Sequence, residues 1–61
     1  MNGKQVIDKL KSAGWTLDHV RGSHHIMTNG TNSISVPVHG SHDLKPGTLA
    51  SIARQSGVNL R

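Results

Sequence analysis

The run Ser33-Ile34-Ser35-Val36-Pro37-Val38 alternates without a break, placing Ile34, Val36 and Val38 on one side and Ser33, Ser35 and Pro37 on the other. Apolar residues at a period of two predict a strand with one dry face and one polar face. Whatever else this chain builds must therefore cover one side of a sheet and leave the other to water. Pro37 has no amide hydrogen to give to a ladder, so its position is expected at a sheet edge or a strand end.

Two further runs supply partners for that strand. Trp15 to Arg21 alternates with Trp15 and Leu17 on one side and stops at the turn signal Gly22-Ser23. His24 to Thr28 follows, and Asn29-Gly30-Thr31-Asn32 predicts a tight turn between antiparallel strands. The covering material lies at the two ends of the chain. Residues 3 to 13 read as a helix in which Val6, Ile7, Leu10 and Ala13 form the apolar stripe. Asn2 is its N-cap, Gln5 stands at capping-box spacing, and Gly14 fits the left-handed position that closes it. Lys4, Asp8 and Lys11 fall on its solvated face. Past a loop, Pro46 suits the first position of a second helix, Leu49, Ile52 and Ala53 face inward, and Gly57 is the stop. Val58 and Leu60 are expected to tuck back as a short tail. The fold class that accommodates this order is α+β: a single small domain over residues 1–61, α-β-β-β-α, with a three-stranded antiparallel sheet and two helices on one face. No internal repeat or second domain is visible.

The core must be thin, because 33% of the 61 residues are apolar and Trp15 is the only aromatic one. A domain of this size retains about 3–5 kcal/mol of net stability from its core. With no cysteine, neither disulfides nor thiolate ligands reinforce it, and the redox compartment stays open. No apolar run approaches the roughly 18 residues of a membrane span, and the amphipathic N-terminus lacks the apolar stretch of a secretory signal. The expectation is a cytoplasmic protein with no membrane partner. Seven Lys and Arg against three Asp give +4 with the five histidines neutral, a balance that favours a polyanionic partner such as nucleic acid or an acidic protein surface.

Three separated motifs, Gly22-Ser23-His24-His25-Ile26-Met27, Ser35-Val36-Pro37-Val38-His39-Gly40 and the stretch from Leu44 to Val58, resemble the HicA family of type II toxin–antitoxin toxins in the same order. The resemblance runs from the first helix through Lys11-Ser12-Ala13-Gly14-Trp15 to the last. It implies a double-stranded-RNA-binding-domain-like fold and a small endoribonuclease (mRNA interferase) that degrades mRNA. It also implies a HicB-like antitoxin as inhibitor and a monomeric toxin within a larger toxin–antitoxin complex. The histidine directly after Gly-Ser is the catalytic one in the family pattern, which here is His24.

The chemistry of RNA accords with such an assignment. Its ribose 2′-hydroxyl is a built-in nucleophile, so the enzyme needs only a base for that proton, an acid for the leaving 5′-oxygen and cations around the transition state. Histidine, with an unperturbed pKa of about 6.5, suits the transfers, which contribute about 10²–10⁴-fold each, and Lys or Arg suits the electrostatics. His24 is expected as general base, with cleavage through a cyclic 2′,3′-phosphate. If Ile26 points into the core, His24 and Thr28 share its side, under the helices, while Ser23, His25 and Met27 face the other way. His24 would then sit near the start of the second helix, where Lys45 combines a cation with a helix N-terminus. Gly22, Ser23, His25, His39 and Lys45 are the expected RNA contacts. The general acid is left open among His39, His25 and a water polarised by Lys45.

Other readings compete. His24, His25, His39 and His42 offer enough nitrogens for a metal, but Asp43 is the only acid near them and adjacent strand histidines diverge, so no metal or cofactor is expected. A non-catalytic RNA-binding module is the alternative, since one scaffold often serves both ends. It would want a lysine cluster on the second helix, where only Lys45 stands, or stacking aromatics, where Trp15 fits better as core. His19 and His42 carry no motif signal and read as surface residues. The antitoxin is expected to bring an acidic complement and to meet the second helix and the Gly22–His25 turn.

Overall fold

Asn2 opens the first helix as expected. Its side chain accepts from the Gln5 amide at 2.9 Å while the Gln5 side chain accepts from the Asn2 amide at 2.9 Å, the reciprocal capping box that satisfies two otherwise orphaned donors. The computed structural model describes residues 1–60, leaving Arg61, the last residue of the expected domain, outside the description. The elements are α1 (Gly3–Ser12), β1 (Thr16–Arg21), β2 (His24–Thr28), β3 (Ser33–Pro37) and α2 (Pro46–Ser56). The sheet is antiparallel with spatial order β1-β2-β3. This is the expected α+β, α-β-β-β-α arrangement.

The helix ends follow their local chemistry. Gly14, at φ +96°, donates to the Lys11 carbonyl and Trp15 donates to the Leu10 carbonyl, the paired bonds of a Schellman closure. Its accompanying apolar contact joins Trp15 to Leu10, both in the core. Gly57 ends α2 in the same left-handed region, at φ +74°.

Val6, Ile7 and Leu10 of α1 and Ile52 of α2 meet Met27, Ile34 and Val36 on one face of the sheet, and Trp15 and Leu60 close the ends. Both helices thus lie on the same side, and no polar or charged residue among those described is buried. The cover is incomplete. Leu17 and Val20 of β1 pair with Met27 and His25 on this same side, yet remain 44% and 50% exposed. Trp15 is buried as expected, whereas Leu17 projects beyond the reach of the helices. Pro37 lies on the edge strand, and the next residue, Val38, donates to the Ser23 carbonyl at 2.8 Å. Amides alternate in direction along a strand, so the proline falls where the missing N–H would have faced solvent.

One close approach fixes α1 against the sheet. Gly3 is buried, and a β-carbon there would collide with the Pro37 carbonyl oxygen and a Val38 methyl group. The main-chain bridge between Asn2 and Asp43, with the Leu44 amide donating to the Met1 carbonyl at 2.9 Å, ties the segment before α2 to the same corner. Gly3→Ala should therefore destabilise by about 1–3 kcal/mol, the usual cost of overpacking. Gly47→Ala, in the first turn of α2 with open space around it, should be neutral or gain up to about 1 kcal/mol of helix propensity. Urea midpoints of the two variants, with unchanged slopes, check the contrast.

Candidate active site on the open sheet face

Arg21 and His24 are cross-strand partners joined by only Gly22 and Ser23. Gly22 has φ +60° and among the described residues none other than glycine has positive φ, the pattern of a type II′ hairpin turn with glycine at its first central position. The Gly-Ser step is thus a backbone requirement: it reverses the chain in two residues and presents His24 as the first residue of β2.

The face on which His24 stands differs from the expectation. Met27 is fully buried, and it pairs with Ile34 while His25 pairs with Val36. Directly opposed residues of an antiparallel pair share a face, so His25 and Met27 point to the helices, and His24, Ile26 and Thr28 point away. The placement of Ile26 in the core and His24 beneath the helices is overturned. The physical reason lies in β3, whose Ile34 and Val36 leave no ambiguity and set the parity of the strand beside them.

On the open face His24 is exposed, and its Nδ1 lies 2.9 Å from the Ser35 hydroxyl. Ser35 holds the ring by one nitrogen and leaves Nε2 without a hydrogen bond to any described residue, the arrangement by which one hydrogen bond orients a working imidazole. Arg21 stands directly opposite on β1, exposed on the same face, as cross-strand partners do. A cation and an oriented imidazole therefore share one polar surface. Neither Arg21 nor Ser35 was anticipated. The signal for Arg21 was present, since a two-residue turn makes its flanking residues partners.

The remaining candidates distribute as follows. Gly22 and Ser23 form the turn beside His24, and His39 is exposed just beyond Val38, the residue paired with Ser23. These lie at one end of the sheet. His25 is half-buried on the helix side, where its Nδ1 is sealed from solvent with no hydrogen-bond partner. That costs about 1–3 kcal/mol, and the structure offers no compensating contact. Lys45 is the exposed N-cap of α2, in the helix layer, so it does not join His24 on one face. Among the described residues no group of three or more His, Asp or Glu side chains is placed to hold a metal ion. A cavity of about 490 Å³ between α2 and the tail is lined by Pro46, Leu49, Ala50, Ala53, Asn59 and Leu60, none of them titratable.

A family model described as HicA toxin of bacterial toxin-antitoxin matches residues 3–58, which include the turn, the open face and both helices. The chain belongs to the HicA toxin family. It is accordingly the toxin of a toxin–antitoxin system. No curated protein matches the sequence. Within this HicA chain the orientation of β2 decides which histidine the solvent sees, and two truncations measure it. Met27→Ala should cost about 2–5 kcal/mol, the price of a core cavity, whereas Ile26→Ala should cost less than about 1.5 kcal/mol. Chemical denaturation of both variants checks the difference.

Proposed function

We propose that this HicA chain is an endoribonuclease that cuts mRNA, a single toxin domain over residues 1–61 held inactive by a HicB-like antitoxin. The observation that carries the reading is the exposed His24 ring, held at Nδ1 by Ser35 and faced by Arg21. In this reading His24 takes the proton of the ribose 2′-hydroxyl, the 2′-oxygen attacks phosphorus, and a cyclic 2′,3′-phosphate forms as the 5′-oxygen leaves. The step needs no side-chain nucleophile. Its charge development is met by a cation already on the surface.

The substrate is read as single-stranded RNA laid across the open face, along which Ser35 and, at the far end of the sheet from Arg21, Thr16, Thr28 and Ser33 place hydroxyls. The element order is that of a double-stranded-RNA-binding domain, and His24 lies on the face its helices leave bare. Gly22 and Ser23 form the turn directly before His24, His39 follows the end of β3 at the same end of the sheet, and in this reading all three contact the RNA. Lys45 and His25 belong to the helix side and would meet RNA only where it wraps the end of the sheet.

The non-catalytic alternative is less well supported by the same surface. Trp15, the single aromatic, is 4% exposed and offers no platform for stacked bases. The antitoxin is read as an acidic partner that covers the Gly22–His25 turn, since that turn borders His24, with α2 a contact from the other layer. The site of action is the cytoplasm, where mRNA is met, and no helix among the described residues is long and apolar enough to cross a membrane.

Incubation of purified protein with single-stranded RNA in excess chelator tests the proposal. New ends bearing 2′,3′-cyclic phosphates should appear. His24→Ala should slow their formation by about 10²–10⁴-fold with an unchanged circular dichroism spectrum. Ser35→Ala, which removes one hydrogen bond worth about 0.5–1.5 kcal/mol, should slow it about 2–10-fold. Undiminished cleavage by a folded His24→Ala protein would refute the assignment.

A further inference from the structure

A β-bulge interrupts the pairing of β1 with β2. Thr16 and Leu17 pair with Thr28 and Met27, but the next residue of β2, Ile26, pairs with His19 and not with Asp18. Without the extra residue, His19 would oppose His25 and face the helices. With it, His19 opposes Ile26, on the face that carries His24. Bulges re-aim side chains in this way, and they are enriched beside active sites.

The consequence is a grid on the open face. Arg21 opposes His24, and His19 opposes Ile26, so His19 is two residues from Arg21 along β1 and diagonal to His24. Diagonal positions of an antiparallel pair lie about 7–8 Å apart, within reach of long side chains. The bulged residue also supplies an orienting group: the Asp18 carboxylate lies 2.7 Å from Nδ1 of His19, with both side chains more than half exposed. Both imidazoles are thus engaged at Nδ1, one by Ser35 and one by Asp18, and neither has a hydrogen bond at Nε2 to any described residue. Arg21 holds the strand position next to both, opposite His24 and two residues from His19.

Resting on the reading that His24 cleaves RNA, we infer that His19 is the general acid of the reaction and Arg21 the phosphate clamp. His24 Nε2 accepts the 2′-hydroxyl proton while the bond from the 2′-oxygen to phosphorus forms. The bond from phosphorus to the 5′-oxygen breaks, and that oxygen takes the proton carried on His19 Nε2. One proton enters the pair and one leaves it, and the products are a 2′,3′-cyclic phosphate and a 5′-hydroxyl. Asp18 is a positioning residue that holds the His19 ring and balances its charge while it carries that proton. His25 does not fill this role, because it faces the helices with Nδ1 sealed, and His39 lies past the end of β3.

The test compares two RNAs with the same sequence, one natural and one in which the leaving 5′-oxygen at the cut position is replaced by sulfur. A thiolate departs without a proton. His19→Ala should slow cleavage of natural RNA by about 10²–10⁴-fold and leave the sulfur substrate near the wild-type rate. Asp18→Asn should show the same split to a smaller degree. Arg21→Ala should slow both substrates, with partial recovery in Arg21→Lys, and His24→Ala should slow both. If wild type cuts RNA but His19→Ala slows the two substrates equally, or neither, the assignment of His19 is overturned while the ribonuclease reading stands. If wild type cuts neither substrate, the ribonuclease reading itself fails.

Discussion

The register between β2 and β3 is the constraint on which the molecule depends. Met27, Ile34 and Val36 point to one side, and the residues that alternate with them point to the other. A slip of one residue would either send Met27 to water or bring the serines of β3 under the helices. The chain has few other apolar groups with which to resist it: among the described residues nine make up the buried hydrophobic core, and the largest of them is Trp15. A core this small tolerates one arrangement of the sheet. That arrangement also decides which of two adjacent histidines is available to solvent.

The two faces consequently divide the work. The helix face is dry where α1 and α2 cover it and leaves Leu17 and Val20 uncovered on β1. The open face is polar and carries the Ser35–His24 and Asp18–His19 hydrogen bonds. Chemistry placed on that face disturbs no packing, since each of these side chains is exposed. The helices bear on the site indirectly, by holding β3 and hence Ser35 and the register of His24. Gly3, pressed against Pro37, belongs to that support.

Most of the fold was legible in the chain because its punctuation is strong. Asn2 with Gln5, Gly14, Pro46 and Gly57 each mark a helix end by a specific backbone need, and Gly22-Ser23 and Asn29-Gly30 mark the turns. The third strand was legible because its alternation is unbroken. The second was not, since Ile26 and Met27 are adjacent apolar residues of opposite parity, and either could face inward until β3 is aligned beside it. The family resemblance named His24 but carried no orientation for it. Ser35 was read as merely polar, because hydrogen bonds across a sheet depend on register. His19 was concealed by the bulge, which local alternation does not encode. Arg21 alone could have been found, from the length of the turn.

The most direct test of the account is a set of nuclear Overhauser contacts from the protein in solution. The His24 ring protons should show contacts to the Ser35 β-protons and the Arg21 side chain, and the Met27 methyl group should show contacts to Leu10 and Ile52. Contacts from the Ile26 methyl groups to Leu10 and Ile52, with the His24 ring seen beside the helices, would mean that β2 has the opposite parity. The open-face site would then not exist.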